Sequence, residues 1–232
     1  MAAIADLHCR VDSATEIRQA LDGVDQQADV LLLAGDLTDT DLLEEVEVLI
    51  PELHALKIPI LAVLGNHDHE SDGASKIAET LTHNGIRVLD GTVCEIGEVG
   101  FVGTKGFCGG FDERLVQPFG ERALKTFIQA SIDEAVRLEN ALTKLDCPRK
   151  IAILHYAPVK QTLQGEPEEL YPLLGSSRLA NALNRHRVDA IVHGHAHHGS
   201  RVGRTAGGIP VYNVCRFVLG RAKGRQYLVL DF

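Results

Sequence analysis

The stretch Asp29-Val30-Leu31-Leu32-Leu33-Ala34-Gly35-Asp36 decides how this chain folds. From Val30 to Ala34 it is apolar without interruption, where a strand with one wet face would alternate. Such a strand is covered on both faces, the usual state of a parallel strand. Gly35 marks the exit, and the carboxylate of Asp36 stands just beyond it. The same grammar recurs along the chain. Residues 2 to 5 run apolar into Asp6-Leu7-His8, and Ile58 to Leu64 runs into Gly65-Asn66-His67-Asp68-His69. Lys150 to Leu154 ends at His155, and Ala190 to Val192 leads into His193-Gly194-His195-Ala196-His197-His198-Gly199. In extended backbone residues i and i+2 point the same way, so Asp6/His8 and His195/His197 are each expected to aim two side chains into one site.

Between these runs lie helical patterns. Ser13-Ala14-Thr15-Glu16 reads as a capping box opening a helix with Ile17, Ala20, Leu21 and Val24 on one face. Asp41 is expected to cap a helix carrying Leu42, Val46, Leu49, Ile50 and Leu53, which Pro51 should end or kink. A third helix spans about 73 to 83, with Gly85 at a C-terminal left-handed cap. Alternation of strand and helix predicts right-handed crossovers and a parallel sheet. The texture then changes. Short strands at 86–89, 92–96 and 99–103, joined by Asp90-Gly91 and Gly97-Glu98, read as hairpins, so the sheet becomes mixed or splits in two.

A glycine-rich loop, 104–120, reads as functional. It precedes a long amphipathic helix over 121–145 with Leu124, Phe127, Ile128, Ile132, Ala135, Leu138 and Leu142 along one stripe. A second loop spans 156–175, Ser176 or Ser177 caps a helix to about His186, and strands at 211–214 and 226–230 close the chain, the last antiparallel. No repeat or linker breaks the sequence, and one domain over residues 1–232 is expected.

Composition narrows the function. The net charge of −9 argues against a broad basic nucleic-acid surface. Five cysteines, Cys9, Cys94, Cys108, Cys147 and Cys215, are scattered, with no C-x-x-C, and are expected to be small buried thiols rather than a disulfide framework or a zinc knot. The N-terminal residues lack a signal-peptide pattern, and no apolar stretch approaches the roughly 18 residues of a transmembrane helix, so a cytoplasmic protein with no membrane contact is expected.

Five runs end in metal-competent residues, and in open α/β sheets ligands bind beyond the carboxyl ends of the strands. Each alone has a dull explanation: Asp36 as a turn residue, Asn66 as a left-handed residue, His155 as a core histidine. Their coincidence at the same end of five strands does not. The order Asp6-Leu7-His8, Gly35-Asp36-Leu37-Thr38-Asp39, Gly65-Asn66-His67-Asp68, His155, Gly194-His195-Ala196-His197 resembles the calcineurin-like metallophosphoesterases. The resemblance implies an α/β fold, a four-layer αββα sandwich of two mixed sheets. It implies two divalent ions, Mn, Fe, Zn or Ni, one held by Asp6, His8 and His197, the other by Asn66, His155 and His195, with Asp36 bridging. Two such ions outweigh two carboxylates, attract phosphate, and acidify a bridging water into the nucleophile.

His67, not needed as a ligand in that scheme, is expected to protonate the leaving alkoxide or to donate to the phosphoryl oxygens. Asp39 or Asp68 would orient an imidazole, with Asp68 to His67 the expected pair. His69, His193 and His198 read as surface or core residues, and His54, His83 and His186 as helix residues. Arg201, Arg204, Arg216, Arg221, Lys223 and Arg225 form a basic run that could gather an anionic substrate, and Lys105 could contact phosphate. The expected reaction is hydrolysis of a small phosphomonoester or phosphodiester, a nucleotide or cyclic nucleotide among them. The alternatives are a non-catalytic metal-binding interaction module of the same fold, or a nuclease.

Overall fold

The computed structural model describes residues 1–221 and 225–231. In the N-terminal half, β1 (Ala2–Ile4), β2 (Leu31–Ala34), β3 (Ile60–Val63) and β4 (Arg87–Val88) pair in parallel and in chain order. The helices α1 (Ala14–Ala20), α2 (Leu43–Ala55) and α3 (Ala74–His83) connect them. The second sheet has the order β5-β6-β7-β8-β10-β9, with β5 (Thr92–Ile96), β6 (Val99–Thr104), β7 (Arg149–Leu154), β8 (Ala190–His193), β9 (Val202–Arg204) and β10 (Pro210–Asn213). Its four inner strands are parallel and its two edges antiparallel. The helices of this half are α4 (Arg122–Leu142), α5 (Tyr171–Leu174), α6 (Ser177–Asn184) and α7 (Arg216–Leu219). β11 (Leu228–Val229) returns to the first sheet, antiparallel to β1.

Side-chain parity explains the unbroken apolar runs. Leu31 and Leu33 pack outward with Ile17, Val46, Leu49, Leu53, Ile77 and Leu81 of the first helical layer. Leu32 and Ala34 pack inward with Phe101, Ile151, Ile153 and Val192 of the facing sheet. On that sheet Ala152 and Leu154 turn the other way, onto Leu138, Leu142, Leu179 and Leu183 of α4 and α6. Helices, sheet, sheet and helices form the four layers that the motifs imply. The sheets approach closely at β6, where a Cβ on Gly103 would lie 2.6 Å from Leu89 Cβ and 2.7 Å from Val63 Cγ1.

Several local expectations change. Asp90-Gly91 is not a hairpin turn: Leu89 N–H donates to the Ala62 carbonyl at 2.7 Å, prolonging the β3–β4 ladder, and the chain then crosses to the second sheet. A local turn signal does not specify which sheet receives the next strand. Gly97, at φ +59, does turn the β5–β6 hairpin. The Ser13 side chain makes no cap bond to α1, and its hydroxyl instead accepts from Arg10 N–H. Asp41 does not cap α2 but accepts from Ser71 and Gly73 N–H, while Glu45 takes the Asp39, Thr40 and Leu42 N–H groups. α2 continues through Pro51 to Ala55, anchored by buried Leu49 and Leu53 and by the Arg18–Glu52 pair at 2.7 Å. All five cysteines are free, four of them buried, and burial pushes the Cys9 thiol up to about 12. Among the described residues no helix is long and apolar enough to cross a membrane.

Gly103→Ala should force the sheets apart and cost about 1–3 kcal/mol, the usual range for overpacking a filled core. Urea denaturation followed by circular dichroism checks it, and a variant as stable as the parent would contradict the close approach.

Candidate metal centre

β1, β2 and β3 of the first sheet and β7 and β8 of the second end at one edge of the sandwich. Beyond β1 the backbone leaves the extended region. Asp6 and His8 have φ of 59° and 43°, Asp36 has 50°, and His195 has 69°. These are four of the seven described non-glycine residues with positive φ, and strain of this kind gathers at functional sites. The left-handed turns are pinned by neighbouring backbone: Asp6 N–H donates to the Gly35 carbonyl and His8 N–H to the Asp36 carbonyl, both at 3.0 Å. Asp6 and His8 do reach one donor group, through left-handed turns rather than strand alternation, whereas His195 and His197 do not share one. β8 stops at His193, so His195 and His197 lie in the turn beyond it and serve different groups.

The motif glycines have a steric reason. A Cβ on Gly65 would collide with the Asp36 carboxylate, and one on Gly35 with the His155 ring. On Gly194 it would sit 2.7 Å from Asp6 Oδ2. Each strand tip leaves room for the functional side chain of its neighbour.

Among the described residues three donor clusters result, two that share Asp36 and a third of His8, Asp39 and His67. Asp6, His8, Asp36 and His197 can bring one ligand atom each within 4.8 Å of one another, and so can Asp36, His155 and His195. Asn66 joins the second group through Oδ1, 2.9 Å from His155 Nε2. In the first, His197 Nε2 lies 3.1 Å from Asp6 Oδ1 and 3.5 Å from His8 Nε2, which is itself 3.7 Å from Asp36 Oδ2. In the second, His155 Nε2 lies 3.3 Å from Asp36 Oδ1. The outer nitrogens are already committed: His155 Nδ1–H donates to the Ala34 carbonyl at 3.0 Å and His8 Nδ1–H to Asp39 Oδ1 at 3.0 Å. That fixes the tautomer and turns each Nε2 inward.

The electrostatics ask for positive charge. Asp36 Oδ2 is buried with no hydrogen-bond donor, a costly state for an anionic oxygen. Burial works to raise the Asp36 carboxyl, yet the charge and hydrogen bond of His155 hold it well below the usual carboxylate range. Burial likewise opposes, and the His197 hydrogen bond with the charges of His155 and His197 overcomes, so that Asp6 is also lowered. Burial would lower His155, but Asp36 raises it to about 9. Burial and then His155 push His195 down to about 3. Within the same donor group, His155 is therefore biased toward its protonated form and His195 toward the neutral imidazole. The oxygen and nitrogen donors and the orphaned carboxylate oxygen fit a pair of divalent ions.

His67 sits at the edge of the first group, its ring edge-on to His8 at 4.5 Å. Its backbone N–H donates to Asp36 Oδ1, and its Nδ1–H to the Asp39 carbonyl at 2.7 Å. The expected Asp68–His67 pair does not form. The buried Asp68 carboxylate accepts instead from Leu37, Thr38 and Gly65 N–H and from the Thr38 hydroxyl. Those backbone groups exhaust it, so Asp68 ties the β2 and β3 exit loops together, and Asp39 does the orienting. Burial and the nearby Asp36 charge raise Asp68 to about 6.

His193 is a core histidine, bonded to Thr162 Oγ1 and lowered by burial to about 4. His69 and His198 are exposed. The basic run disperses: Arg216 pairs with Glu16, Arg201 donates to the Leu219 carbonyl, and Arg204 to that of Gly208. Arg225 lies over Tyr227, and Lys223 lies outside the described residues. Among the described residues of that run, Arg221 alone donates to the segment that carries His197, bonding the carbonyls of His197, His198 and Gly199. Lys105 lies over the Phe107 and Tyr156 rings. The two loops meet each other, Gly109 N–H to the Pro172 carbonyl and Gly110 N–H to that of Gly175, on the His195 side, where the Leu173 carbonyl stands 3.4 Å from His195 Nε2. Two ring neighbours of the site went unread in the sequence. Tyr156 lies 4.4 Å from His195, and Phe217 lies 5.0 Å from His197. Neither carries a motif; Tyr156 could have been found only as the residue beside His155.

The fold is shared with known structures. One solved structure, 16% identical, superposes with a TM-score of 0.61 over 92% of this chain and 89% of that one. The protein TT1561 of Thermus thermophilus, also 16% identical, gives 0.54 over 94% and 90%. A putative 5'-nucleotidase from Staphylococcus aureus, 13% identical, gives 0.56 over 99% of this chain and 50% of its own. We found no match among curated protein sequences. The calcineurin-like phosphoesterase family model matches residues 1–199, the span that holds all the donors above. The clustered aspartates and histidines suggest a dinuclear metal site, and the chain belongs to the calcineurin-like phosphoesterase family.

Proposed function

We propose that this chain is a dinuclear metal-dependent hydrolase of a small phosphomonoester or phosphodiester. The observation that carries the reading is the pair of donor groups sharing Asp36, whose Oδ2 is buried without a donor. Asp6, His8 and His197 would hold one divalent ion, Asn66, His155 and His195 the other, and Asp36 both. When bound, such a pair draws in phosphate and brings the pKa of water close to neutrality, supplying a nucleophile for in-line attack.

The chain's own residues do the rest. With Nδ1–H committed to the Asp39 carbonyl, His67 keeps Nε2 as the nitrogen that can carry a proton to the leaving alkoxide. The Asp39 carboxylate holds His8, so one residue aligns both imidazoles. The net charge of −9 favours a small substrate over a nucleic acid. The fold-level likeness to a putative 5'-nucleotidase is a reason to include nucleotides in the substrate panel.

Release of phosphate from mono- and diester substrates by the Mn²⁺-loaded protein tests the reading. No turnover with any of them would sink it in favour of a binding module. His67→Ala should keep both ions by elemental analysis and slow turnover roughly 10²–10⁴-fold. Asp36→Ala should lose metal, and a chelator that lowers the melting temperature of the parent should leave this variant unmoved. Asp39→Ala should weaken metal affinity roughly 10–100-fold, read by calorimetric titration, because His8 loses its support.

A further inference from the structure

Beside the Asp6, His8 and His197 group lies an open depression of about 320 Å³ lined by His197, His198, Phe217 and Arg221. Phe217 comes from α7, a single turn after β10, and 42% of it is exposed although its neighbours Val218 and Leu219 are buried. A lone exposed aromatic is ordinary. This one is held in place. The Arg216 guanidinium, buried and paired with Glu16 at 2.8 Å, lies over one face of the ring, 4.8 Å from its centroid, which leaves only the remaining surface for a ligand. His197 and His8 flank the ring at 5.0 and 6.1 Å. Arg221 also lines the depression, its guanidinium fixed by the carbonyls of residues 197–199. A rigid aromatic surface beside a planar cation, against the first donor group, is a stacking platform rather than a grip for phosphate alone.

We propose that Phe217 and Arg221 form a subsite for the planar aromatic base of a nucleotide, which fixes the substrate class as nucleoside phosphates. The proposal rests on the hydrolase reading above, since the ester's phosphate would lie on the donor groups while its base stacks on Phe217. Stacking on an aromatic side chain contributes enough to change affinity roughly tenfold.

The test uses the Mn²⁺-loaded full chain and calorimetric titration with two uncleavable phosphonates, the analogues of adenosine 5'-monophosphate and of ribose 5-phosphate. Phosphate release from the two parent esters is measured in parallel. The wild type should bind the adenosine ligand roughly tenfold tighter, and kcat/KM should favour its ester by a similar factor. Phe217→Ala should bring that ratio close to one, and Phe217→Trp should keep it. Circular dichroism and metal content report whether each variant is folded and loaded. A ratio unmoved in Phe217→Ala, or lost in Phe217→Trp when folded and loaded, overturns the subsite. Equal affinity of the wild type for both ligands, with both esters hydrolysed, overturns the subsite and leaves the hydrolase reading standing. Neither ligand bound and neither ester hydrolysed overturns the subsite, while the hydrolase reading stands or falls on the wider panel of mono- and diesters.

Discussion

The carboxylate of Asp36 is enclosed by protein, and one of its oxygens has no donor to meet it. Everything around it accommodates that fact. Gly65 is a glycine because the carboxylate lies against its backbone. Asp68 spends its oxygens on Leu37, Thr38 and Gly65, holding the two loops that carry Asp36 and Asn66. His8 and His155 approach from opposite sides, each aligned through its far nitrogen. A structure selected for stability alone would not leave such a group unpaired inside it.

The orienting contacts are largely backbone. The Ala34 carbonyl fixes His155 and the Asp39 carbonyl fixes His67. Such partners carry no residue identity, which is why the sequence assigned the orienting role to Asp68, a carboxylate conveniently near His67. The donors were legible because they stand at the ends of unbroken apolar runs. The left-handed backbone at Asp6, His8, Asp36 and His195 was not, since aspartate and histidine occur freely in extended chain too. The donors meet through turns that packing between strand tips imposes, and not through strand alternation.

The layers were equally readable where burial on both faces left no polar residue, as at Leu31 to Ala34. They were misread where a short signal had two uses. Asp90-Gly91 marks a turn, and the parallel pairing of β4 with β3, prolonged by the bond from Leu89 to Ala62, keeps β4 in the first sheet. Pro51 marks a helix end that packing of Leu49 and Leu53 overrides. Phe217 was invisible because one turn of helix has no periodicity to read.

The seam between the two sheets runs through the donor set. Asp6, His8, Asp36 and Asn66 ride on the first sheet, and His155, His195 and His197 on the second. Neither the Asp6, His8, Asp36 and His197 set nor the Asp36, His155 and His195 set is complete within one half of the chain. The four-donor set of Asp6, His8, Asp36 and His197 therefore exists only where the two halves lie face to face.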